Sequence, residues 1–208
     1  MSIKQSKHEE YLNALTHGFG IILSIFGVIL LFLNYDTSKL DFFYVLIYGL
    51  SLITLYSAST LYHIVQHKPY KKLLRKFDHI SIYILISGTY TPVCVSVLKD
   101  SNGFLILGLV WGLTLIGLIL KIFFTGKFEK ISLLLYLLMG WLIVIDIQTF
   151  YNAVDALELW FLILGGVFYT VGVLFYVMHK LKYHHVIWHI FVLLGSFFHY
   201  LMIYHIIN

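Results

Sequence analysis

The chain has 208 residues, of which 60% are hydrophobic and only 12% are charged. A soluble domain carries about a quarter charged residues, so this composition excludes an ordinary soluble protein and indicates a surface that faces lipid. The net charge is +4, but the basic residues form no separate domain outside the apolar segments. We therefore expect no nucleic-acid partner and take the lipid bilayer as the environment of the chain.

Seven segments contain the roughly 20 mostly apolar residues that a membrane-spanning helix needs. The first lies at 17–34, after a polar stretch over residues 1–16 that we predict to be a short cytoplasmic N-terminal segment. The others lie at 42–65, 77–98, 103–124, 131–151, 158–179 and 185–207. The predicted fold is an all-α membrane protein, with seven transmembrane helices in one domain over residues 17–207.

The basic residues indicate how these helices are oriented. Twelve fall on one side: Lys4, Lys7, Lys68, Lys71, Lys72, Arg75, Lys76, Lys121, Lys127, Lys130, Lys180 and Lys182. Only Lys39 and Lys99 fall on the other side. Loops rich in Lys and Arg stay in the cytoplasm, so we predict a multi-pass protein of a cell membrane whose N-terminus is cytoplasmic and whose C-terminus lies outside.

Three histidines are predicted to meet at the cytoplasmic ends of the helices. His185 and His189 are four residues apart, which places both rings on one helical face about 6 Å apart along the axis. His63, near the end of the second helix, adds a third nitrogen. Three neutral imidazoles leave one tetrahedral position of a zinc ion open for water. Asp78, at the start of the predicted third helix, could orient or deprotonate that water.

These residues can also be interpreted without a metal or a catalytic role. The His185 and His189 pair could arise by chance or from interfacial packing, and Asp78 could simply cap the third helix. Ser59 lies one turn before His63 and could either position water or bond back to its own helix. The histidine set nevertheless predicts a Zn²⁺ site, since polar groups inside membranes are costly and usually functional.

Four short motifs occur together in the chain. E-x-x-N-x-x-T-H runs from Glu10 to His17, S-x-x-x-H from Ser59 to His63, F-D-H from Phe77 to His79, and H-x-x-x-H from His185 to His189. With these motifs the chain, from Glu10 to Tyr200, resembles the hemolysin III family, which is grouped with the progestin and adipoQ receptors and, more widely, with alkaline ceramidases.

The resemblance implies a role for each matching residue. His63, His185 and His189 would hold zinc, and Asp78 would reach it through water. Ser59 would lie near the same water, so Asp78 and Ser59 are the candidate catalytic residues. Of the other motif residues, Glu10, Asn13 and His17 are expected to support the site rather than bind metal.

The function we expect is that of a zinc-dependent hydrolase of a lipid amide or ester, involved in membrane lipid homeostasis, with a membrane lipid as substrate. One alternative is a pore-forming cytolysin, which is disfavoured because the helices are apolar almost all round. A second alternative is a signalling protein in which zinc stabilises the fold without turnover. The bias towards Lys over Arg and the many Ile and Tyr residues point to a bacterial plasma membrane.

Overall fold

A computed structural model describes residues 5–38 and 40–208 of the chain, and all regular structure in these ranges is helical. The helices are α1 Lys7–Asn34, α2 Phe42–Ile64, α3 Lys68–Ser96, α4 Gly103–Phe124, α5 Glu129–Gly140, α6 Ile147–Ala153, α7 Ala156–Val177 and α8 His184–Ile207. A 3-10 turn over Leu142–Asp146 joins α5 to α6, so these two helices form one helical segment. We call this segment, and each of the other helices, a rod. The described residues form seven rods.

Six rods of the described chain are long and apolar enough to cross a membrane. The remaining rod is α3, which is 29 residues long but more polar than the others. It packs against α2, α4, α5 and α8, so many of its hydroxyl groups face protein instead of lipid. Ser87, for example, is fully buried and donates to the carbonyl of Val110 at 3.0 Å. A helix enclosed by other helices does not need an apolar surface all round.

Consecutive rods run in alternate directions through the bundle, so the first and last rods, α1 and α8, are parallel neighbours. At one end the start of α1 contacts the start of α8, through a 3.1 Å hydrogen bond from the Tyr183 amide to Glu9. At the other end the amide of Asp36, after α1, donates to the carbonyl of Ile207, the last residue of α8. We call the end where α1, α3, α5 and α8 begin the basic end.

The described basic residues lie at the ends of the bundle to which we assigned them. The described residues that we assigned to the first side all lie at the basic end. Lys4 of the first side and Lys39 of the second side are outside the described residues. Lys99 lies between α3 and α4, at the opposite end.

Two helices begin earlier than predicted, α1 by ten residues and α3 by nine. α1 begins at Lys7 because Ser6 and Glu9 form a capping box, in which each side chain bonds the other's backbone amide. Most of the predicted N-terminal segment 1–16 is therefore the first turns of α1, while residues 1–4 lie outside the described chain. α3 begins at Lys68, with Pro69 in its first turn. Asp78 consequently lies ten residues inside α3, and the interpretation of Asp78 as a helix cap is wrong.

The fifth rod is broken, whereas the apolar run 131–151 predicts a continuous helix. The helical pattern stops at Gly140 and Trp141 and resumes as the 3-10 turn. Tyr90 of α3 compensates the break, because its hydroxyl donates to the carbonyl of Gly140 and accepts from the amide of Ile143, both at 2.9 Å. A neighbouring side chain thus satisfies backbone groups that lipid could not.

Candidate metal centre

Three histidines converge at the basic end of the bundle. His63 lies in the last turn of α2, and His185 and His189 lie in the first turns of α8. Each offers one ring nitrogen, and the three nitrogens lie within 4.8 Å of one another. His63 and His189 are buried, while His185 is partly buried. The predicted juxtaposition of these three residues is therefore present in the fold.

The His63 ring is held by a carboxylate from another helix. Its Nδ1 lies 2.7 Å from Oε2 of Glu10 in α1, and its Nε2 is buried without a hydrogen-bond partner among the described residues. A carboxylate at one nitrogen fixes the ring orientation and makes the opposite nitrogen a better metal ligand. An unpaired buried nitrogen costs about 1–3 kcal/mol, and a bound metal ion would remove that cost.

The His189 ring is also held by a contact between one of its nitrogens and α1. Its Nδ1 lies 3.2 Å from the carbonyl oxygen of Asn13 and 3.2 Å from the hydroxyl of Thr16. The carbonyl can only accept, so Nδ1 must carry the proton. The other nitrogen, Nε2, is then an acceptor and can bind a cation.

His17 covers the inner side of this group. Its ring stacks on that of His189, with centroids 3.6 Å apart and planes 10° from parallel. Tyr56 meets the His17 ring edge-on at 5.1 Å. Both His17 nitrogens are buried and unpaired among the described side chains, yet His17 is not one of the three residues whose nitrogens converge. Its contacts are those of a residue that positions His189.

The donor set fits zinc. Zinc accepts neutral imidazole nitrogens at about 2.0–2.1 Å in a tetrahedron, which puts neighbouring nitrogens about 3.4 Å apart. The most widely spaced pair of nitrogens would have to close by up to about 1.4 Å, a shift that ring rotation can supply. His63, His185 and His189 would fill three positions and leave the fourth open.

The two candidate catalytic residues lie on the helices that border this site. Ser59 is buried in α2, one turn before His63. Asp78 is partly buried in α3, while Tyr176 of α7 contacts the histidine group. The Tyr176 ring is 5.9 Å from that of His185. Asp78 is not a member of the converging ligand group.

The first turns of α1 tie the site together. Glu9 accepts from the Tyr183 amide, where Tyr183 has a left-handed backbone with φ of 60° at the start of α8. The next residue, Glu10, contacts His63 of α2 and, at 3.1 Å, Lys71 of α3. We did not predict a role for Glu9, although the capping-box spacing from Ser6 was a signal for a helix start at this point.

A second polar cluster at the basic end was also missed by the prediction. The Glu129 carboxylate accepts from Lys121 at 2.9 Å, from Arg75 at 3.2 Å and from the Gly126 amide at 2.9 Å. The Nδ1 of His79 lies 3.4 Å from it. Lys121 is only 2% exposed. These residues join α3, α4 and α5, and no spacing along the chain indicates that they meet.

The chain is similar in sequence to known proteins over nearly its whole length. The family model described as "Haemolysin-III related" matches residues 5–200. The "Hemolysin-3 homolog" of Bacillus subtilis (strain 168) is 44% identical over 191 residues, which are 90% of this chain and 89% of the relative. "Hemolysin-3" of Bacillus cereus is 41% identical, with 90% and 87% covered. The human "Monocyte to macrophage differentiation factor" is 30% identical, with 95% and 84% covered.

Proposed function

The chain belongs to the haemolysin-III related family, and from this membership we propose that it is a zinc-dependent hydrolase of a membrane lipid. The bond cleaved would be an amide or ester, and the role would be in the lipid homeostasis of a bacterial plasma membrane. The observation that carries the proposal is the convergence of three histidine nitrogens within 4.8 Å. Two of the rings are held at their other nitrogen by α1.

The chain is a multi-pass membrane protein, and its proposed orientation places the site in the cytoplasmic leaflet. We propose that α3 also crosses the membrane, since 29 residues extend about 43 Å as a helix. The basic end would face the cytoplasm. A reporter that is active only outside the cytoplasm, fused to the C-terminus, should be active. The same reporter fused between α4 and α5 should be silent, and the reverse pattern would refute the orientation.

In the proposed reaction, water attacks the carbonyl carbon of the lipid and the carbon–nitrogen or carbon–oxygen bond breaks. Bound zinc would supply a water of pKa about 7 and polarise the carbonyl. Asp78 would accept a proton from the attacking water and return it to the leaving nitrogen or oxygen. Ser59 would orient that water, while Glu10 and Asn13 keep the histidine rings in place.

The access route for such a substrate is sideways from the bilayer. A lipid does not need to leave the membrane if its head reaches the basic end while its chains stay between or beside the helices. The position of the histidines at the ends of α2 and α8 supports this geometry, because it is near the level at which headgroups lie.

Turnover can be separated from a purely structural zinc by changing Asp78. Asp78→Asn should retain one equivalent of zinc per chain but give cells the lipid profile of a strain without the protein. Asp155→Asn is the matched control, since Asp155 is exposed at the opposite end and, although it is the N-cap residue of α7, its side chain makes no capping hydrogen bond. If Asp78→Asn leaves the lipid profile unchanged, zinc is not catalytic and the signalling alternative is preferred.

The names of the two Bacillus relatives raise membrane lysis as a second candidate. The lipid-facing surface gives this candidate little support, since residues such as Ile22, Phe26 and Leu33 along α1 are exposed and apolar. A water-filled pore needs a polar face along the membrane thickness. Dose-dependent dye release from liposomes by the purified protein would nevertheless establish lysis, and release by the His63→Ala variant would show that it does not depend on metal.

A further inference from the structure

The first turns of α3 lie ahead of Asp78 and are held mainly by polar contacts. The N-cap residue of α3, His67, makes no side-chain capping hydrogen bond. Every residue of the segment 68–77 is exposed or only partly buried. Because burial of apolar side chains is what usually fixes a helix, the position of this segment depends on its charged side chains.

Two cations of this segment bind carboxylates of other helices. Arg75 pairs with Glu129 of α5 at 3.2 Å, and Lys71 pairs with Glu10 of α1 at 3.1 Å. The two carboxylates differ in their other partners. Glu129 also contacts cations, whereas Glu10 also holds the ring of His63. Lys71 therefore connects α3 to the candidate metal centre, and Arg75 does not.

Each oxygen of the Glu10 carboxylate has its own partner. Oε2 lies 2.7 Å from Nδ1 of His63, and Oε1 lies 3.1 Å from Nζ of Lys71. The Glu10 side chain is only 15% exposed, so salt screens these contacts weakly. A carboxylate that is already held at one oxygen loses less entropy when it binds at the other. Fixing the His63 ring therefore strengthens the contact between Glu10 and Lys71.

Lys71 makes a second contact beside His63. Its ammonium donates to the carbonyl of Tyr62 at 3.0 Å and lies 4.7 Å from the centre of the Tyr62 ring. Tyr62 lies in the last turn of α2, where carbonyls have no partner within the helix and a cation is favourable. These contacts hold a usually flexible side chain in one position, next to the metal-ligand candidate of α2.

Asp78 follows Lys71 by seven residues, which is close to two turns of an α-helix. The two side chains therefore lie on one face of α3, about 10.5 Å apart along its axis. A contact at Lys71 limits rotation of α3 about that axis. The same rotation decides the direction in which the Asp78 side chain leaves the helix, so Lys71 and Asp78 are placed together.

We propose that Lys71 is a positioning residue, which couples the His63 ring through Glu10 to the turns of α3 that carry Asp78. Metal binding at His63 fixes the ring, and Glu10 and Lys71 then hold α3 in place. The metal ligands and the proton acceptor are thus assembled together. This coupling rests on the zinc site of the proposed function, but it requires no turnover.

Amide hydrogen exchange over residues 72–78 tests the coupling in the detergent-solubilised full chain, with and without one equivalent of zinc. In wild type, zinc should slow exchange in these turns. Lys71→Gln should raise the exchange rate on the order of 10-fold, because it removes a charged hydrogen bond, and it should abolish the zinc response. Lys71→Arg, which can still bind a carboxylate, should retain that response. An equal zinc response in wild type and Lys71→Gln would overturn the proposal.

Two matched variants separate the coupling from a general loss of stability. Lys72→Gln removes the same charge from the next residue, which is exposed and makes no ion pair with the described residues, and it should behave as wild type. Arg75→Gln removes the contact with Glu129, so exchange should rise while the zinc response remains. Loss of the zinc response in Arg75→Gln would mean that any weakening of α3 has this effect, and would overturn the role of Lys71.

Unfolding temperature and zinc content are measured on every variant. If Lys71→Gln does not fold, Glu10→Gln breaks the same chain of contacts from α1. At a saturating zinc concentration this variant should also lose the zinc response over residues 72–78, and a retained response would overturn the proposal.

A wild-type protein that binds no zinc would refute the proposed hydrolase, and the coupling is then decided in metal-free protein. His63→Ala frees the Glu10 carboxylate and should raise exchange over residues 72–78, as Lys71→Gln does. The double variant His63→Ala/Lys71→Gln should show no further rise, because both changes break one chain of contacts. Additive effects of the two changes would overturn the coupling.

Discussion

Two polar clusters lie near each other at the basic end of the bundle, and they differ in how their atoms are paired. In the Glu129 cluster the carboxylate faces Lys121, Arg75 and His79, so that opposite charges satisfy one another. In the histidine cluster His63, His185 and His189 turn nitrogens towards one another, and the Nε2 of His63 has no partner among the described residues.

This difference separates a structural role from a binding role. The Glu129 carboxylate already has a donor at each oxygen, and it holds α3, α4 and α5 together. The histidine cluster is incomplete, because the buried Nε2 of His63 has no partner among the described residues and a cation between the three converging nitrogens would supply one. The basic end thus carries the Glu129 cluster, whose carboxylate is fully paired, and the histidine cluster, which needs a ligand.

The largest effect should come from removing a ring of the incomplete cluster. His63→Ala should abolish binding of one equivalent of zinc, because only two protein ligands would remain where zinc sites usually have at least three. His79→Ala is the control from the completed cluster and should keep its zinc. Metal analysis of the purified proteins after removal of loosely bound ions decides between them, and loss of zinc in both variants would contradict the distinction.

Breaking the completed cluster should affect stability and not metal binding. Glu129→Gln leaves Lys121, which is 2% exposed, without its carboxylate, and an uncompensated buried charge costs about 3–5 kcal/mol. We expect a clear drop in unfolding temperature with unchanged zinc content. The double variant Glu129→Gln/Lys121→Met should recover much of the loss, and failure to recover would argue against the ion pair as the cause.

A smaller effect on metal affinity is expected from the carboxylate behind His63. Glu10→Gln keeps the size of the side chain but removes the charge that orients the ring, and such changes typically lower metal affinity about 10–100-fold. Competition with a zinc-sensitive dye measures the zinc affinity of each variant. Glu9→Gln is the adjacent control, since Glu9 contacts the Tyr183 amide and not a histidine ligand. Equal affinity in wild type and Glu10→Gln would show that the contact does not tune the metal.

The smallest effect should follow Thr16→Val. The Thr16 hydroxyl is the second of two acceptors at Nδ1 of His189, and the Asn13 carbonyl remains when it is removed. One neutral hydrogen bond contributes about 1 kcal/mol, so zinc affinity should fall about 5-fold or less. A loss as large as that of Glu10→Gln would mean that Thr16, rather than the carbonyl, orients the ring.

The helical bundle and the meeting of the three histidines were predictable from the chain alone. Apolar segments of membrane length must form helices, because only helices satisfy their own backbone in lipid. Once the segments alternate in direction, His63 at the end of one rod and His185 at the start of another fall at the same level, and the four-residue spacing adds His189. These conclusions need only periodicity and length.

The contacts around the histidines could be decided only by tertiary structure. Glu10 and Glu9 are neighbours in the chain, yet one turns to His63 and the other to Tyr183, and this choice depends on how α1 packs between its neighbours. The Glu129 cluster and the Tyr90 contact that compensates the broken fifth rod arise in the same way. Local sequence determines the rods, since their backbone bonds are internal, whereas the pairing of polar side chains depends on helix positions that no single segment specifies.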